Sequence, residues 1–314
     1  LVILAGKTGA MKSFLTTVMG MCSVYEKKFL DKFATKKSVW LYFDQDNPLI
    51  MTKDRNKKIL TGLNIDAPDE FKYICQNGVK LDNEEHMNIL EETINFYKPS
   101  VVVLDSLGKF LLKADENSSL DISNIFSNLR ILSMKYRTSF LIIHHLRKSA
   151  KGSKDEDNDE KVRGSTDIVN SADCLLMVSR KEKTSPYIQV RQEKNRYGKE
   201  IEPFTIFLKQ NPKTNAIIFE IAPNSALEQD IESKAANQIL SWLTTERTWS
   251  PPADKIFKTA EVIERFESVF NTNTERNRKI IQGALSKLVV MERIQRSAKG
   301  YYKFVDLVNL EDDK

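Results

Sequence analysis

One glycine- and lysine-containing loop near the start of the chain constrains its fold more than any other feature. The loop, Gly6-Lys7-Thr8-Gly9-Ala10-Met11-Lys12-Ser13, follows the apolar run 2–5 and precedes an amphipathic stretch. A glycine-rich turn between a strand and a helix, closed by Lys-Ser, has the spacing of a phosphate-binding loop. The pattern therefore predicts a strand, a loop and a helix at the start of an α/β domain.

The residue types in this loop suit the binding of a nucleotide. Backbone N–H groups of such a loop and of the following helix N-terminus converge on phosphate oxygens. We expect Lys12 to neutralise the β- and γ-phosphates and the Ser13 hydroxyl to ligate Mg²⁺. The expected nucleotide-binding set is Gly6, Lys7, Thr8, Gly9, Ala10, Met11, Lys12, Ser13 and Phe14. Met11 stands where glycine is usual, which predicts an altered loop that still binds; the alternative is a plain glycine turn with a chance Lys-Ser pair.

Length and composition bound the class of protein. A chain of 314 residues with 41% hydrophobic residues is long enough for one large and one small domain, each with its own core. No apolar run reaches the roughly 18 residues of a bilayer span, which predicts a cytoplasmic protein without a membrane partner. Cys22, Cys75 and Cys174 are odd in number and widely spaced, which favours reduced thiols and gives no metal-ligand pattern.

Alternating strand and helix patterns predict the fold class of the larger domain. Short β-branched runs alternate with amphipathic stretches, which is typical of βαβ units on a mainly parallel sheet. The predicted strands are 2–5, 38–44, 71–75, 100–105, 139–144 and 173–178, and helices are expected after Met11, Pro48, Asn83 and Ser118. The later segments 187–191, 203–208 and 216–221 alternate apolar and polar residues, which predicts antiparallel hairpins at one sheet edge.

The remaining chain has a different hydrophobic pattern, which predicts a second domain. We assign 1–222 to the α/β core, 223–231 to a linker and 232–314 to a C-terminal domain. Three stretches of helical apolar spacing are followed by a hairpin pattern over 294–307, with a turn at Lys299-Gly300. Three helices and a terminal hairpin predict a winged helix of the helix-turn-helix class.

The charge of this C-terminal domain offers a nucleic-acid hypothesis. Residues 276–303 contain eight basic side chains against the single acid Glu292. Such a cluster suits contact with nucleic-acid phosphates. There are two alternatives: the domain binds another protein, or the basic helix face is only solvated.

Polar residues at three strand ends are the candidate catalytic groups. Asp105 ends an apolar strand and suits the holding of Mg²⁺ together with Ser13. Asp44 and Asp46 follow the second strand, where one carboxylate can orient an attacking water; roles in a turn or as a helix cap are the alternative. His144-His145 ends the fifth strand, where a side chain can sense the γ-phosphate; two histidines held only by hydrogen bonds are the alternative.

Together these positions resemble the RecA-fold ATPases, and within them the hexameric replicative helicases of the DnaB and plasmid RepA type, including those fused to phage primase-polymerases. The likeness covers residues 1–221. Phe43-Asp44-Gln45-Asp46-Asn47-Pro48 looks like that family's strand-end motif, in which the acidic residue two places before Pro is the catalytic base. The resemblance gives this role to Asp46, where the family usually has Glu.

Three further stretches carry the resemblance. His144-His145 is similar to the RepA-type sensor, and Arg163-Gly164-Ser165 with Asp173 resembles the segment after the DNA-facing loop. Residues 146–162 then form the channel loop, and the residues implied to contact a single strand are Arg147, Lys148, Lys151 and Arg163. Acidic residues crowd 155–160 and do not suit that role. Lys194-Asn195-Arg196 looks like the Lys-x-Arg pair that contacts the neighbouring subunit's γ-phosphate.

The resemblance implies a specific activity. We expect an ATP- and Mg²⁺-dependent helicase that assembles as a homo-oligomeric ring of six subunits. It would move along single-stranded DNA during replication. The likeness to the fused proteins adds, as a possible partner, an upstream primase or polymerase domain on the same chain. Two other classes stay open: a RecA-like recombinase or loader ATPase that does not unwind, and a regulator in which ATP switches a winged-helix DNA binder.

Overall fold

The computed structural model divides the chain into two compact units, Leu1–Ala222 and Pro223–Lys314. The described residues are 1–146, 166–180, 182–222, 232–242, 256–267, 274–291 and 293–304. The segment 223–231, predicted as a linker, lies outside them. Each unit is presented by itself below.

A nine-stranded sheet forms the centre of the first unit. Its strands are β1 (Val2–Gly6), β2 (Trp40–Asp44), β3 (Phe71–Cys75), β4 (Val101–Asp105), β5 (Ser139–His145), β6 (Cys174–Ser179), β7 (Tyr187–Asn195), β8 (Phe204–Gln210) and β9 (Ile217–Ile221). Their order is β3-β2-β4-β5-β1-β6-β7-β8-β9. The pairings from β3 to β6 are parallel, and those from β6 to β9 are antiparallel. This arrangement confirms the predicted α/β class with an antiparallel edge.

Four helices of this unit begin at the predicted positions: α1 (Lys12–Val24), α2 (Leu49–Leu63), α3 (Glu84–Tyr97) and α4 (Ser119–Tyr136). The helix α5 (Thr166–Ser171) and a short 3-10 helix at Leu107–Phe110 were not predicted. The side chain of Asn83 accepts a hydrogen bond from the His86 amide, and that of Ser118 accepts one from Asp121. A polar side chain at this position satisfies an otherwise unpaired helical N–H. The caps thus explain why α3 and α4 begin where they do.

Apolar side chains alternate between the two faces of the sheet. In β5, Phe140 and Ile142 join one core cluster, whereas Leu141 and Ile143 join the other. A strand buried on both faces strongly disfavours a one-residue slip, because the slip would exchange the two sets. The carboxyl ends of the parallel strands are therefore held level with one another at one edge.

The second unit combines three helices with a small antiparallel sheet. Its elements are α6 (232–242), β10 (Ile256–Lys258), α7 (Thr259–Glu267), α8 (Thr274–Val290), β11 (Ile294–Ala298) and β12 (Tyr301–Phe304). The sheet order is β10-β12-β11, and Lys299-Gly300 forms the expected turn. The three-residue strand β10 was not predicted, because so short a run carries no periodicity. The winged-helix assignment stays a prediction, and 305–307 of the predicted hairpin lie outside the described residues.

Part of the basic stretch in this unit is engaged within the unit. The ammonium of Lys287 donates to the hydroxyl of Ser233 at 2.7 Å and lies 3.9 Å from the carboxylate of Glu232. Arg296 and Lys299 are exposed on the hairpin. Contact with nucleic acid therefore stays a prediction that rests on the exposed members.

Within the described ranges, no helix combines the length and the apolar character needed to cross a bilayer.

A substitution in α2 tests how tightly this helix packs against the antiparallel edge. A β-carbon at Gly62 would overlap the carbonyl oxygen of Ile217 in β9. Alanine favours a helix over glycine by about 1 kcal/mol, yet we expect Gly62→Ala to destabilise the unit by about 2 kcal/mol because the backbone of β9 has to move. Urea denaturation followed by circular dichroism measures the change. Gly108→Ala, whose β-carbon meets only the Glu116 carboxylate at 3.5 Å, is the control and should leave stability nearly unchanged.

Candidate functional site

The predicted nucleotide-binding loop and the predicted acidic and histidine residues meet at the carboxyl edge of the parallel strands. Gly6 pairs with His145 across β1 and β5, and Asp44 pairs with Asp105 across β2 and β4. The loop after β1 and the loop after β2 therefore lie at the same edge, with Asp46 in the second of them. This edge is the place where ligands bind in open parallel sheets.

The loop between β1 and α1 has the conformation of a tight anion-binding turn. Gly9 has φ +89° and Met11 has φ 70°, so both residues adopt left-handed backbone. Gly6 packs directly on β6, since a β-carbon there would overlap the carbonyl oxygen of Val178. Lys7, Thr8 and Gly9 are exposed, which leaves the outer side of the loop open to a ligand.

Lys12 places a buried ammonium inside this loop. Its side chain donates to the carbonyl oxygens of Gly6 at 2.7 Å and Lys7 at 3.1 Å, and it lies 3.2 Å from Nδ1 of His145. Burial lowers the pKa of Lys12 to about 8, against the attraction of Asp105 and Asp46. A cation that has lost its water and whose direct partners are neutral groups gains strongly from a bound anion. The loop therefore fits a phosphate group.

Asp105 is a buried carboxylate beside the start of α1. It is 1% exposed and accepts a hydrogen bond from the hydroxyl of Tyr42 at 2.6 Å. Burial raises the pKa of Asp105, although hydrogen bonds from Ser13 and Tyr42 oppose the rise. The Ser13 hydroxyl and the Asp105 carboxylate thus lie together, as the sequence predicted for a Mg²⁺ site.

Asp46 and His145 form a polar pair next to that carboxylate. Nε2 of His145 lies 3.4 Å from Oδ2 of Asp46, and the hydroxyl of Ser106 donates to the same oxygen at 2.9 Å. The hydrogen bond from His145 lowers the pKa of Asp46, and so do Ser106 and the Lys109 ammonium at 3.9 Å. Asp46 is therefore ionised at neutral pH, as a base must be.

Asp44 has a structural role in the same loop. Its carboxylate accepts hydrogen bonds from the amides of Asp46 and Asn47 at 3.1 and 2.9 Å, and from the Thr52 hydroxyl at 3.1 Å. Arg55 lies 3.6 Å away. Asp44 thus shapes the turn that carries Asp46, in line with the turn alternative considered from sequence.

The oxygen donors at this edge fit a divalent cation. Ligand atoms of Asp46, Asp105 and His145 lie within 4.8 Å of one another. Mg²⁺ takes carboxylate and hydroxyl oxygens and bridges to nucleotide phosphates. Asp105 and Ser13 would hold such an ion when a nucleotide is bound, with Asp46 facing it and His145 beside them.

His144 and His145 differ in burial and in polar partners. It is 1% exposed, and its Nε2 has no hydrogen-bond partner among the described residues. Burial lowers the pKa of His144 to about 4, and the neighbouring charges of His145 and Lys12 act in the same direction. The two predicted sensor candidates are thus separated: His145 touches Lys12 and Asp46, whereas His144 is a neutral group in the core.

Lys194 and Arg196 lie at the other edge of the sheet. The ammonium of Lys194 donates to the carbonyl oxygens of Val169 and Asn170 at 2.9 and 3.0 Å, and Arg196 lies 3.1 Å from the carboxylate of Asp173. Lys194 is paired with Leu175, near the beginning of β6, whereas the phosphate loop follows the end of β1. The structure therefore does not bring the Lys-x-Arg pair to the phosphate loop of its own chain.

Other residues stand outside this geometry or were missed. The guanidinium carbon of Arg55 lies over the ring of Phe14, 5.3 Å from the ring centroid, so Phe14 takes part in the packing of α1. The four predicted DNA contacts, Arg147, Lys148, Lys151 and Arg163, lie outside the described residues. Sequence reasoning overlooked Tyr42 and Ser106, which donate to Asp105 and Asp46. Tyr42 lies in the middle of β2 and Ser106 follows the end of β4, and neither position indicates a partner that is remote in sequence.

The loop, the carboxylates and the sheet topology define the class of a P-loop nucleotide-binding protein. A family model described as an AAA domain matches residues 1–151. Among solved structures, a chain titled "Crystal structure of the RadB recombinase" is similar, with 14% identity over 69% of this chain and 88% of that chain and a TM-score of 0.47. Among curated proteins, no match to the chain is found. The family match over residues 1–151 and the site geometry support a P-loop ATPase domain in the first unit.

The left-handed backbone at Met11 generates a stability prediction. Non-glycine residues lose about 1 kcal/mol or more in this conformation, and glycine does not. Met11→Gly and Met11→Ala remove the same packing, so their difference isolates the backbone effect. We expect Met11→Gly to be the more stable variant by about 1 kcal/mol, measured by thermal denaturation, with nucleotide binding kept in both. Equal stability of the two variants would contradict a left-handed Met11.

Burial of His144 predicts a pH-dependent stability. Between its usual pKa of 6.5 and the lowered value of about 4, the unfolded chain binds a proton that the folded chain does not. Stability from this group is therefore complete above pH 6.5 and falls as the pH drops toward 4, by about 3 kcal/mol in all. We expect the wild type to lose this amount relative to His144→Leu in urea titrations at several pH values. Parallel pH profiles of the two proteins would exclude the burial effect.

Proposed function

We propose that the protein is an ATP-driven motor that assembles as a homo-oligomeric ring, moves on single-stranded DNA and separates a duplex during replication. The observation that carries the proposal is the separation of two half-sites on opposite edges of one sheet. Lys12, Asp46 and Asp105 lie at the carboxyl edge, and Lys194 and Arg196 lie at the amino edge.

Each residue at the carboxyl edge has a chemical role in hydrolysis. Lys12 leaves its carbonyl partners to bind the phosphate oxygens. Asp105 with Ser13 would hold a Mg²⁺ ion, which would neutralise part of the phosphate charge. Asp46 orients the attacking water and accepts its proton as the water oxygen bonds to the γ-phosphorus. The bond from that phosphorus to the β–γ bridging oxygen breaks, and ADP is the leaving group. His145 contacts both Lys12 and Asp46, so it senses whether a phosphate has replaced its contact with Lys12.

The amino edge supports action on a neighbouring subunit. The ends of β1 are separated by about 13 Å, since each parallel residue adds about 3.3 Å. Both Lys194 and Arg196 bind groups at the far end from the phosphate loop. A phosphate contact by these cations would therefore come from another copy. Such a contact makes hydrolysis depend on a closed interface, because the added cation stabilises the charge that builds on the transferred phosphoryl group.

An exposed apolar patch supports association beside the carboxyl edge. Leu49, Ile50 and Met51 follow the Asp46 turn directly and are 48%, 74% and 60% exposed. Exposed apolar side chains beside a functional edge favour a contact with another protein. Head-to-tail contacts of this kind close into rings when the rotation between subunits allows it.

The contacts of α5 support coupling between the half-site and a DNA-facing loop. The last carbonyls of this helix bind Lys194, and that of Ser171 binds Arg130. The helix directly follows the segment proposed to face DNA. A displacement of α5 would therefore alter the position of Lys194, which is the link a motor requires between its track and its ATP sites.

A mixing experiment tests the shared site. Lys12→Ala lacks phosphate binding and Arg196→Ala lacks the trans cation, so each protein alone should lose hydrolysis by at least a hundredfold. Mixed copies form some interfaces with an intact loop facing an intact arginine, and we expect them to recover a measurable fraction of DNA-stimulated ATPase activity. Lys199→Ala, an exposed neighbour of the pair, is the control and should be fully active.

The outcome also separates the motor from the other classes. Full hydrolysis by the isolated monomer, or no recovery at any mixing ratio, contradicts a shared site. A recombinase or loader would hydrolyse ATP without separating a forked duplex, and a switch-type regulator would turn over slowly with no stimulation by single strands. Strand-displacement assays with the wild-type chain decide between these possibilities.

A further inference from the structure

We propose that Lys183, in the loop between β6 and β7, supplies a second cation to the phosphate chain of the bound nucleotide in the same subunit. The inference rests on the proposed function, because it assumes that the loop Gly6–Ser13 binds a nucleoside triphosphate. It adds to that loop a binding residue that comes from a different part of the chain.

The position of the lysine is the first observation. A β-carbon at Gly9, at the exposed tip of the phosphate loop, would lie 3.3 Å from Cγ of Lys183 and 3.5 Å from its Cδ and Cε. The alkyl stem of the lysine therefore lies along the outer side of the loop. Because Gly9 has no side chain, the stem can approach the backbone whose N–H groups would bind phosphate.

The second observation is that the segment carrying Lys183 is held in place. The Ser185 amide donates to the carbonyl oxygen of Glu182 at 3.0 Å, and the Arg180 guanidinium donates to the carbonyl oxygen of Ser185. Ser185 itself is 3% exposed. The Val178 carbonyl packs against Gly6, so the first part of the phosphate loop contacts β6 as well as the turn after it. Lys183 thus stands within an anchored turn.

The third observation concerns the charge itself. Lys183 is exposed, and its ammonium has no hydrogen-bond or ion-pair partner in the part of the chain that the structure describes. Lys12, in contrast, is bound to loop carbonyls. A triphosphate with its Mg²⁺ still carries net negative charge, and a flexible ammonium beside the loop reaches it without breaking an existing contact. Lys183 therefore suits phosphate binding from outside the loop, whereas Lys12 suits it from inside.

Titration of the 314-residue chain with a fluorescent, non-hydrolysable ATP analogue tests this role. We expect Lys183→Ala to weaken binding about tenfold, as the loss of one charge-assisted hydrogen bond predicts. Lys183→Arg should keep most of the affinity, because the charge remains. Lys213→Ala, an exposed lysine in the turn between β8 and β9, is the matched control and should bind as the wild type does. The salt dependence of binding should also be smaller in Lys183→Ala.

The possible results separate this proposal from the function on which it rests. Unchanged affinity of Lys183→Ala overturns the proposal, and so does an equal loss in Lys183→Arg. If Lys12→Ala binds the analogue as tightly as the wild type, the nucleotide site itself is misassigned. A loss in Lys12→Ala without a loss in Lys183→Ala leaves the nucleotide site intact and removes only the second cation.

Discussion

The parallel pairing of β1 with β5 is the constraint on which the candidate site depends. In that register Gly6 lies opposite His145, so the loop after β1 meets the end of β5. Lys12 and His145 are 133 positions apart in sequence, yet their side-chain nitrogens lie 3.2 Å apart. His145 in turn reaches Asp46. A slip of one residue would exchange the buried faces of β5 and remove the imidazole from this edge.

The buried ammonium of Lys12 makes the loop favour an anionic ligand. The ammonium of Lys12 has lost most of its hydration, and burial lowers the pKa of Lys12 to about 8. Carbonyl dipoles compensate a buried charge less well than an anion does. The loop is therefore prepared for phosphate, and binding would release Lys12 from His145. The sheet adds a geometric condition, since Lys194 and Arg196 face away from this edge and are held by α5 and Asp173. A site that uses both halves needs two copies of the chain.

Much of the first unit could be predicted from sequence because its signals are local. The predicted helix starts after Pro48, Asn83 and Ser118 match the observed ones, since capping residues and proline act on their immediate neighbours. The alternation of apolar runs predicted the parallel strands and the antiparallel edge. The strand β10 and the 3-10 helix Leu107–Phe110 were not predicted, because elements of three or four residues are decided by packing rather than by a periodic pattern.

The chain's own residues determined the α/β class, the phosphate loop and the identity of the acidic strand ends, since each depends on residue type and short-range spacing. Only the tertiary structure decided which of the two aspartates and which of the two histidines lies at the site. It assigned Asp44 to the turn and Asp46 to the site edge, and it buried His144 while leaving His145 between Lys12 and Asp46. It also placed Lys183 beside Gly9. The physical reason is that these distinctions come from strand register and from contacts between remote segments, which no local pattern encodes.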